Sequence, residues 1–168
     1  NADVLIVAGC GIHNSGSKKS EHDGIHRFHI GKNANIRYVE KHYGSGEGTG
    51  ERVLNPKTEV YMADGSHCQM EMIQIKGVDS TVRETNAYLE SGASLLVLER
   101  LMTHGRQNAR SDITVYLNGE DSSAQIISRS VAKDASEQLF YLRAVGNNRC
   151  KAHMQCDSII MDDAKIRS

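Results

Sequence analysis

Two cysteines and a histidine, Cys150, His153 and Cys156, stand close together just ahead of the apolar run Ser158-Ile159-Ile160-Met161. Thiolate and imidazole are soft to borderline donors, suited to transition metals and iron–sulfur clusters. A ligand carried on a strand is also held rigidly. On one strand Cys150 and Cys156 share a face and His153 takes the other, so the three converge only if the chain bends. Cys156 is therefore the leading ligand candidate, with Cys150 and His153 secondary. Cys10 lies between Gly9 and Gly11. Those glycines allow a sharp turn that leaves the sulfur accessible for thiolate chemistry; a buried turn thiol is the competing reading. Cys68, beside Met70 and Met72, reads as core, where a thiol behaves as a small hydrophobe.

Histidines gather early, at His13, His22, His26 and His29, with Glu21 and Asp23 among them. Glu21, His22 and His26 offer a cupin-like metal site of close-set imidazoles plus a carboxylate. His26 and His29 fall on opposite strand faces, and the alternative is that these polar residues order a loop. Other chemistries lack their motifs. There is no Gly-x-Ser-x-Gly elbow for a hydrolase. The run Gly44-Ser45-Gly46-Glu47-Gly48-Thr49-Gly50 has no following Gly-Lys-Ser/Thr and no helix, so it reads as an exposed flexible loop, not a phosphate cradle. Asp162-Asp163 reads as a solvated turn.

These residues sit in a rhythm of strand, tight Gly/Asn/Asp turn, strand. Arg27–Ile30, Gly31–Ala34 and Asn35–Val39 form one such unit. Val60–Met62 with Ala63–Ser66 and Ala87–Leu89 with Glu90–Ala93 begin others, and Val115–Leu117 and Ile159–Met161 open two more. The anchors Ile30, Met62, Leu89 and Leu117 recur at solenoid spacing, roughly 30 residues. A unit this small must stack on its neighbours to bury its apolar face. No sustained helical stripe appears; Asp134–Leu142 is the best short-helix candidate, although its aromatic end suits a strand equally. A polar loop is expected from Asn14 to Asp23. The reading is an all-β chain folded as a β-helix or other β-solenoid, with a closed cupin or jelly-roll barrel as the alternative.

With 168 residues, 39% apolar and 24% charged, the chain fits one globular domain, residues 1–168. Its formal net charge of −1 provides no basic stripe for a phosphate backbone, so nucleic acid is not an expected partner. No apolar run approaches the roughly 20 residues of a membrane-spanning helix, and no signal peptide is evident. The scattered cysteines suit free thiols in a reducing cytosol better than a disulfide framework. The chain starts at Asn1-Ala2, compatible with the scar of a cleaved tag, and stops at Ser168 inside a strand-like pattern, so an excised domain is expected.

Several words, in order, resemble the core domain shared by SufB and SufD, scaffold subunits of iron–sulfur cluster assembly. Ala8-Gly9-Cys10 is similar to the family's small-Gly-Cys turn. Gly24-Ile25-His26-Arg27-Phe28 through Ala34-Asn35-Ile36-Arg37-Tyr38 is similar to its histidine-containing strand and following turn. Asn118–Ser130, including Ile126-Ile127-Ser128, and Gln155-Cys156-Asp157-Ser158 complete the likeness. Lys41 and Tyr43 stand where SufB proper has glutamine and tryptophan. The resemblance implies a right-handed parallel β-helix and a cytoplasmic, non-catalytic scaffold. It implies a transient iron–sulfur cluster in the full-length complex, with none needed for the fold. Cys156 matches the proposed cluster ligand, and Cys10 matches the cysteine that accepts sulfur and passes it through the helix interior. Implied partners are a cysteine desulfurase system as sulfur donor, a SufB/SufD-type partner or a second copy, and a SufC-type ABC ATPase. The ATPase would bind through C-terminal helices beyond Ser168. A purely structural solenoid is the remaining alternative.

Overall fold

The structure, a computed structural model, describes residues 2–168, so Asn1 and the tag-scar reading that rests on it lie outside the described residues. Strands β1 (Asp3–His13), β3 (Asn35–Ser45), β5 (His67–Lys76), β7 (Ser94–Thr103), β9 (Ser122–Ala132) and β11 (Cys150–Ile160) form one six-stranded sheet in that order. Strands β2 (Ser20–Ile30), β4 (Arg52–Met62), β6 (Ser80–Leu89), β8 (Asn108–Leu117), β10 (Glu137–Gly146) and β12 (Lys165–Arg167) form the second. Every pairing is parallel. The chain is thus a β-solenoid of about six coils, and the barrel alternative, which needs antiparallel neighbours, is excluded.

The anchors stack as the rhythm requires, Ile30 on Met62, Met62 on Leu89 and Leu89 on Leu117. Between the two sheets, most tight turns carry one residue with positive φ. Asn33, Gly65, Gly92 and Asp121 mark one edge, and Gly105, Asp134 and Asp162 the other. Glycine has no steric penalty in that region, and Asn and Asp tolerate it best among the rest. The turns are also laddered: Asn33 N–H donates to Asp64 O at 3.0 Å, Gly65 to Ser91 at 2.8 Å and Gly92 to Glu120 at 2.9 Å.

Three expectations change in the structure. Asp134–Leu142 holds no helix: Asp134 sits in a turn and β10 begins at Glu137, because alternating burial of Gln138 and Phe140 outweighs helix propensity there. Ile159–Met161 belongs to the opposite edge from Leu117, since Ile160 stacks on Ala132 in the first sheet. Ser20–Asp23 is strand, not loop.

The glycine-rich run is not a free loop either. A Cβ on Gly44 would lie 1.6 Å from Gly77 O, one on Gly46 2.1 Å from Asn14 O, and one on Gly50 2.0 Å from Lys18 O. Alternate glycines let this segment press against backbone on both sides. Asn14, buried, donates to Lys18 O at 2.8 Å and accepts from Gly16 N–H at 2.9 Å.

Inward side chains fill the main core with Tyr38, Val60, Met62, Met70, Leu89, Val97, Ile113, Leu117 and Ile126. A fully buried aliphatic side chain contributes about 1.5–3 kcal/mol. On the outer face of the second sheet His29, Tyr61, Tyr88 and Tyr116 stack at centroid spacings of 4.9, 5.1 and 4.9 Å.

The glycine contacts predict a contrast. Gly44→Ala destabilises the protein by about 3 kcal/mol or more, because backbone must move. Gly31→Ala, with nothing within 4 Å of its Cβ, stays within about 0.5 kcal/mol. Urea denaturation of the two variants measures the difference, and equal stabilities would contradict the close packing.

Candidate functional site

Alternation along β3 turns Tyr38, Glu40 and His42 inward. β1 places Cys10 over His42 in register, and β2 brings His26 to the same interior from the opposite sheet. The Cys10 thiol points at Glu40 Oε1 at 3.7 Å and at His26 Nε2 at 4.0 Å. His26 Nδ1 meets Tyr38 Oη at 3.1 Å. Glu40 Oε1 lies 3.0 Å from the same nitrogen, off the line of a hydrogen bond.

The row continues inward. Glu40 Oε1 is 3.0 Å from His42 Nε2, also off-line, and Arg83 donates to His42 Nδ1 at 2.8 Å. Arg83 has only hydrogens to give, so Nδ1 accepts and the ring proton sits on Nε2, facing Glu40. Arg83 also donates to Glu99 Oε1 at 2.9 Å. Glu99 receives Ser111 Oγ at 2.6 Å and, on Oε2, Ser128 Oγ at 2.9 Å. Glu40, His42, Arg83 and Glu99 are all at most 3% exposed.

Electrostatics follow from that arrangement. Burial opposes ionisation of Glu40, but His42, Arg83 and His26 outweigh it and hold its carboxyl down at about 2. His42 is pushed below the usual imidazole range, first by burial and then by Arg83, with Glu40 opposing; it is neutral. Burial, followed by the nearby Glu40 charge, pushes the Cys10 thiol up. Burial alone pushes Cys68 up to about 12, in keeping with its place in the main core.

The ligating atoms of Cys10, Glu40 and His42 lie within 4.8 Å of one another, and no other such group occurs among the described residues. Sulfur, oxygen and nitrogen together suit a borderline divalent metal. However, Arg83 occupies the lone pair on His42 Nδ1, so a metal on Nε2 would leave the ring no place for its proton. The arrangement is a proton network built around a fixed guanidinium.

The residues singled out in the sequence are distributed differently. Cys156 turns inward and packs against Leu101, Ala109 and Phe140, its Sγ 3.8 Å from Ser158 Oγ. Cys150 packs on the main core, and His153 is exposed, 3.5 Å from Gln155. The three do not converge. Glu21 and His22 are exposed on β2, Glu21 facing Asn55, while His26 turns inside. The cupin-like trio is therefore not assembled: alternation turns Glu21 to the other face, and His22, in the same phase as His26, lies four residues along the strand from it. Lys41 and Tyr43 face outward; the interior positions of that word are Glu40 and His42.

Register links the ends of the row. One inward column runs Ala8, Glu40, Met72, Glu99, Ser128, Cys156. Cys10 and Cys156 lie on β1 and β11, five strand spacings apart, or about 24 Å.

The chain is thus a parallel β-solenoid with inward thiols on its first and eleventh strands and a buried polar row between them. The family model for the SUF system FeS cluster assembly SufBD core domain matches residues 12–166. The chain belongs to that family. An iron–sulfur cluster assembly SufBD family protein of Methanothermobacter thermautotrophicus (strain Winter) is 27% identical over 97% of this chain and 39% of its own length. One from Archaeoglobus fulgidus is 24% identical over 98% of this chain and 43% of its own. The chain thus spans about two-fifths of the curated relatives it matches. No solved structure matches.

The depressed Glu40 carboxyl predicts a stability profile. A lowered folded pKa contributes stability that is present above the unfolded value of 4.5 and lost as pH falls toward about 2. Glu40→Gln, compared with the parent by urea denaturation between pH 7 and pH 3, has the shallower acid loss. Parallel profiles would mean that Glu40 is not held ionised by its neighbours.

Proposed function

We propose that the chain is the core of an iron–sulfur cluster assembly subunit in which Cys10 accepts sulfur and Cys156 binds the nascent cluster, its cargo. The observation that carries this reading is the buried polar row between them. From Cys10 the contacts pass through Glu40, His42, Arg83 and Glu99 to Ser128, the register neighbour of Cys156. A buried path lined by hydroxyls, imidazole and charge accommodates a polar sulfur species better than an apolar core does. Membership of the SufBD family supports the same role. The subunit works in the cytoplasm as a scaffold without turnover of its own. Sulfur comes from a cysteine desulfurase system, energy from a SufC-type ATPase bound outside this segment, and the cluster forms with a SufB/SufD-type partner or second copy.

Anaerobic reconstitution of the full-length protein with iron and sulfide tests the ligand assignment by visible absorption. The parent acquires the charge-transfer bands of an iron–sulfur cluster, Cys156→Ser loses them, and Cys150→Ser keeps most of them. Parental bands in Cys156→Ser would remove Cys156 as a ligand.

A further inference from the structure

Cys10 stands apart from the other cysteines in having an imidazole within reach. Cys68 lies in apolar core and Cys156 has a hydroxyl, Ser158, beside it. The Cys10 thiol has two acceptors, Glu40 Oε1 at 3.7 Å and His26 Nε2 at 4.0 Å. On the far side of the ring, Nδ1 is 3.1 Å from Tyr38 Oη and 3.0 Å from Glu40 Oε1. This is thiol, imidazole and carboxylate in the order of a nucleophile, its base and the group that steadies the base.

We propose that Cys10, His26 and Glu40 act as a triad in which His26 is the general base that lets Cys10 attack a donor persulfide. The inference rests on the reading of Cys10 as sulfur acceptor and adds how that thiol becomes a nucleophile. Burial and the Glu40 charge keep Cys10 a thiol at rest, so it needs a base at the moment of attack. Glu40 is the nearer acceptor but the weaker base, its carboxyl being held at about 2. Imidazole is the side chain most often used as a general base, and His26 is the one imidazole whose ring nitrogen faces the Cys10 sulfur. With Nδ1–H donated to Tyr38 Oη, the Nε2 lone pair faces the sulfur. Tyr38 is kept a phenol by burial and by Glu40. The Glu40 charge beside the ring then stabilises the imidazolium, which makes Tyr38 and Glu40 positioning residues. His42 and Arg83 stand behind Glu40 and keep it ionised. The contacts to sulfur are long, as such contacts often are before a substrate is bound. The His26 side chain remains 28% exposed and Cys10 half-buried, so a donor can reach both.

The step is balanced without an oxidant. Cys10 Sγ bonds to the terminal sulfur of R–S–SH as the donor's S–S bond breaks, and that electron pair leaves on R–S⁻. The Cys10 proton passes to His26 Nε2 and from there to R–S⁻, giving R–SH and Cys10–S–SH. One persulfide replaces another.

Glutathione persulfide supplied anaerobically to the full-length protein tests this. Cys10 persulfide is trapped by alkylation and quantified by peptide mass spectrometry. In the parent the Cys10 rate rises with pH to a plateau. His26→Gln, with His26→Asn as a second variant and circular dichroism to verify folding, slows it by about 10²-fold and leaves a rate that keeps rising with hydroxide. His29→Gln, outside the row, reacts as the parent. A parental rate and pH profile in the His26 variants, or an equal slowing in His29→Gln, overturns the triad alone. A parent in which Cys10 takes up no sulfur overturns the acceptor reading and the triad with it.

Discussion

Each coil must lie directly on the last, one strand spacing of about 4.8 Å away, and almost everything else in this structure follows from that constraint. It fixes the neighbours of every side chain, one coil below and one above in the same phase. Apolar residues therefore form columns such as Ile30, Met62, Leu89 and Leu117. Tyr61, Tyr88 and Tyr116 form an aromatic one outside. A charge inside a column has no such companion: Met72 separates Glu40 from Glu99. Its partner has to come across the solenoid from the other sheet, which is where Arg83 on β6 and His26 on β2 stand.

That geometry explains what was legible beforehand. The anchors and turns show in the sequence because a left-handed backbone position demands Gly, Asn or Asp at Asn33, Gly65, Gly92 and Asp121. The inward phase of β3 is also readable, as Tyr38, Glu40 and His42 continue the alternation from Ile36. What could not be read is which residues meet. His42 and Arg83 are 41 residues apart in the chain, on different sheets, and no local pattern connects them. The same limit misplaced the histidines: Glu21, His22 and His26 look like a chelating set by proximity, but Glu21 faces outward and only His26 of the three meets the buried row. The glycine run misled for a related reason, since Gly44 is required by the backbone of Gly77, a contact made in the next coil. A charged residue in the inward phase of an apolar strand, as Glu99 is between Val97 and Leu101, is the one local sign that a polar row lies within.

The row is expensive if stability is its only purpose. Ionised groups taken from water lose several kcal/mol of hydration each, and replacing a buried ion pair by apolar side chains of similar size is often neutral or stabilising. The compensation here is also incomplete. Glu40 Oε2, His42 Nε2 and Arg83 Nε are buried without a hydrogen-bond partner in the protein, and each such atom costs about 1–3 kcal/mol. The same coils show that the fold does not need this, since Val60, Val97, Ile113 and Ile126 fill the interior beside the row with apolar side chains. The buried ionisable groups Glu40, His42, Arg83 and Glu99 are instead confined to a line that starts at one inward thiol and ends, at Ser128, one strand short of another. Such placement is costly for a core but suited to a passage, because donors and acceptors left unpaired by the protein can be offered to what moves through it. Under the proposed function, the guanidinium of Arg83, flanked by Glu40 and Glu99, would draw an anionic sulfur species into the line, and the two carboxylates would keep it from being held there.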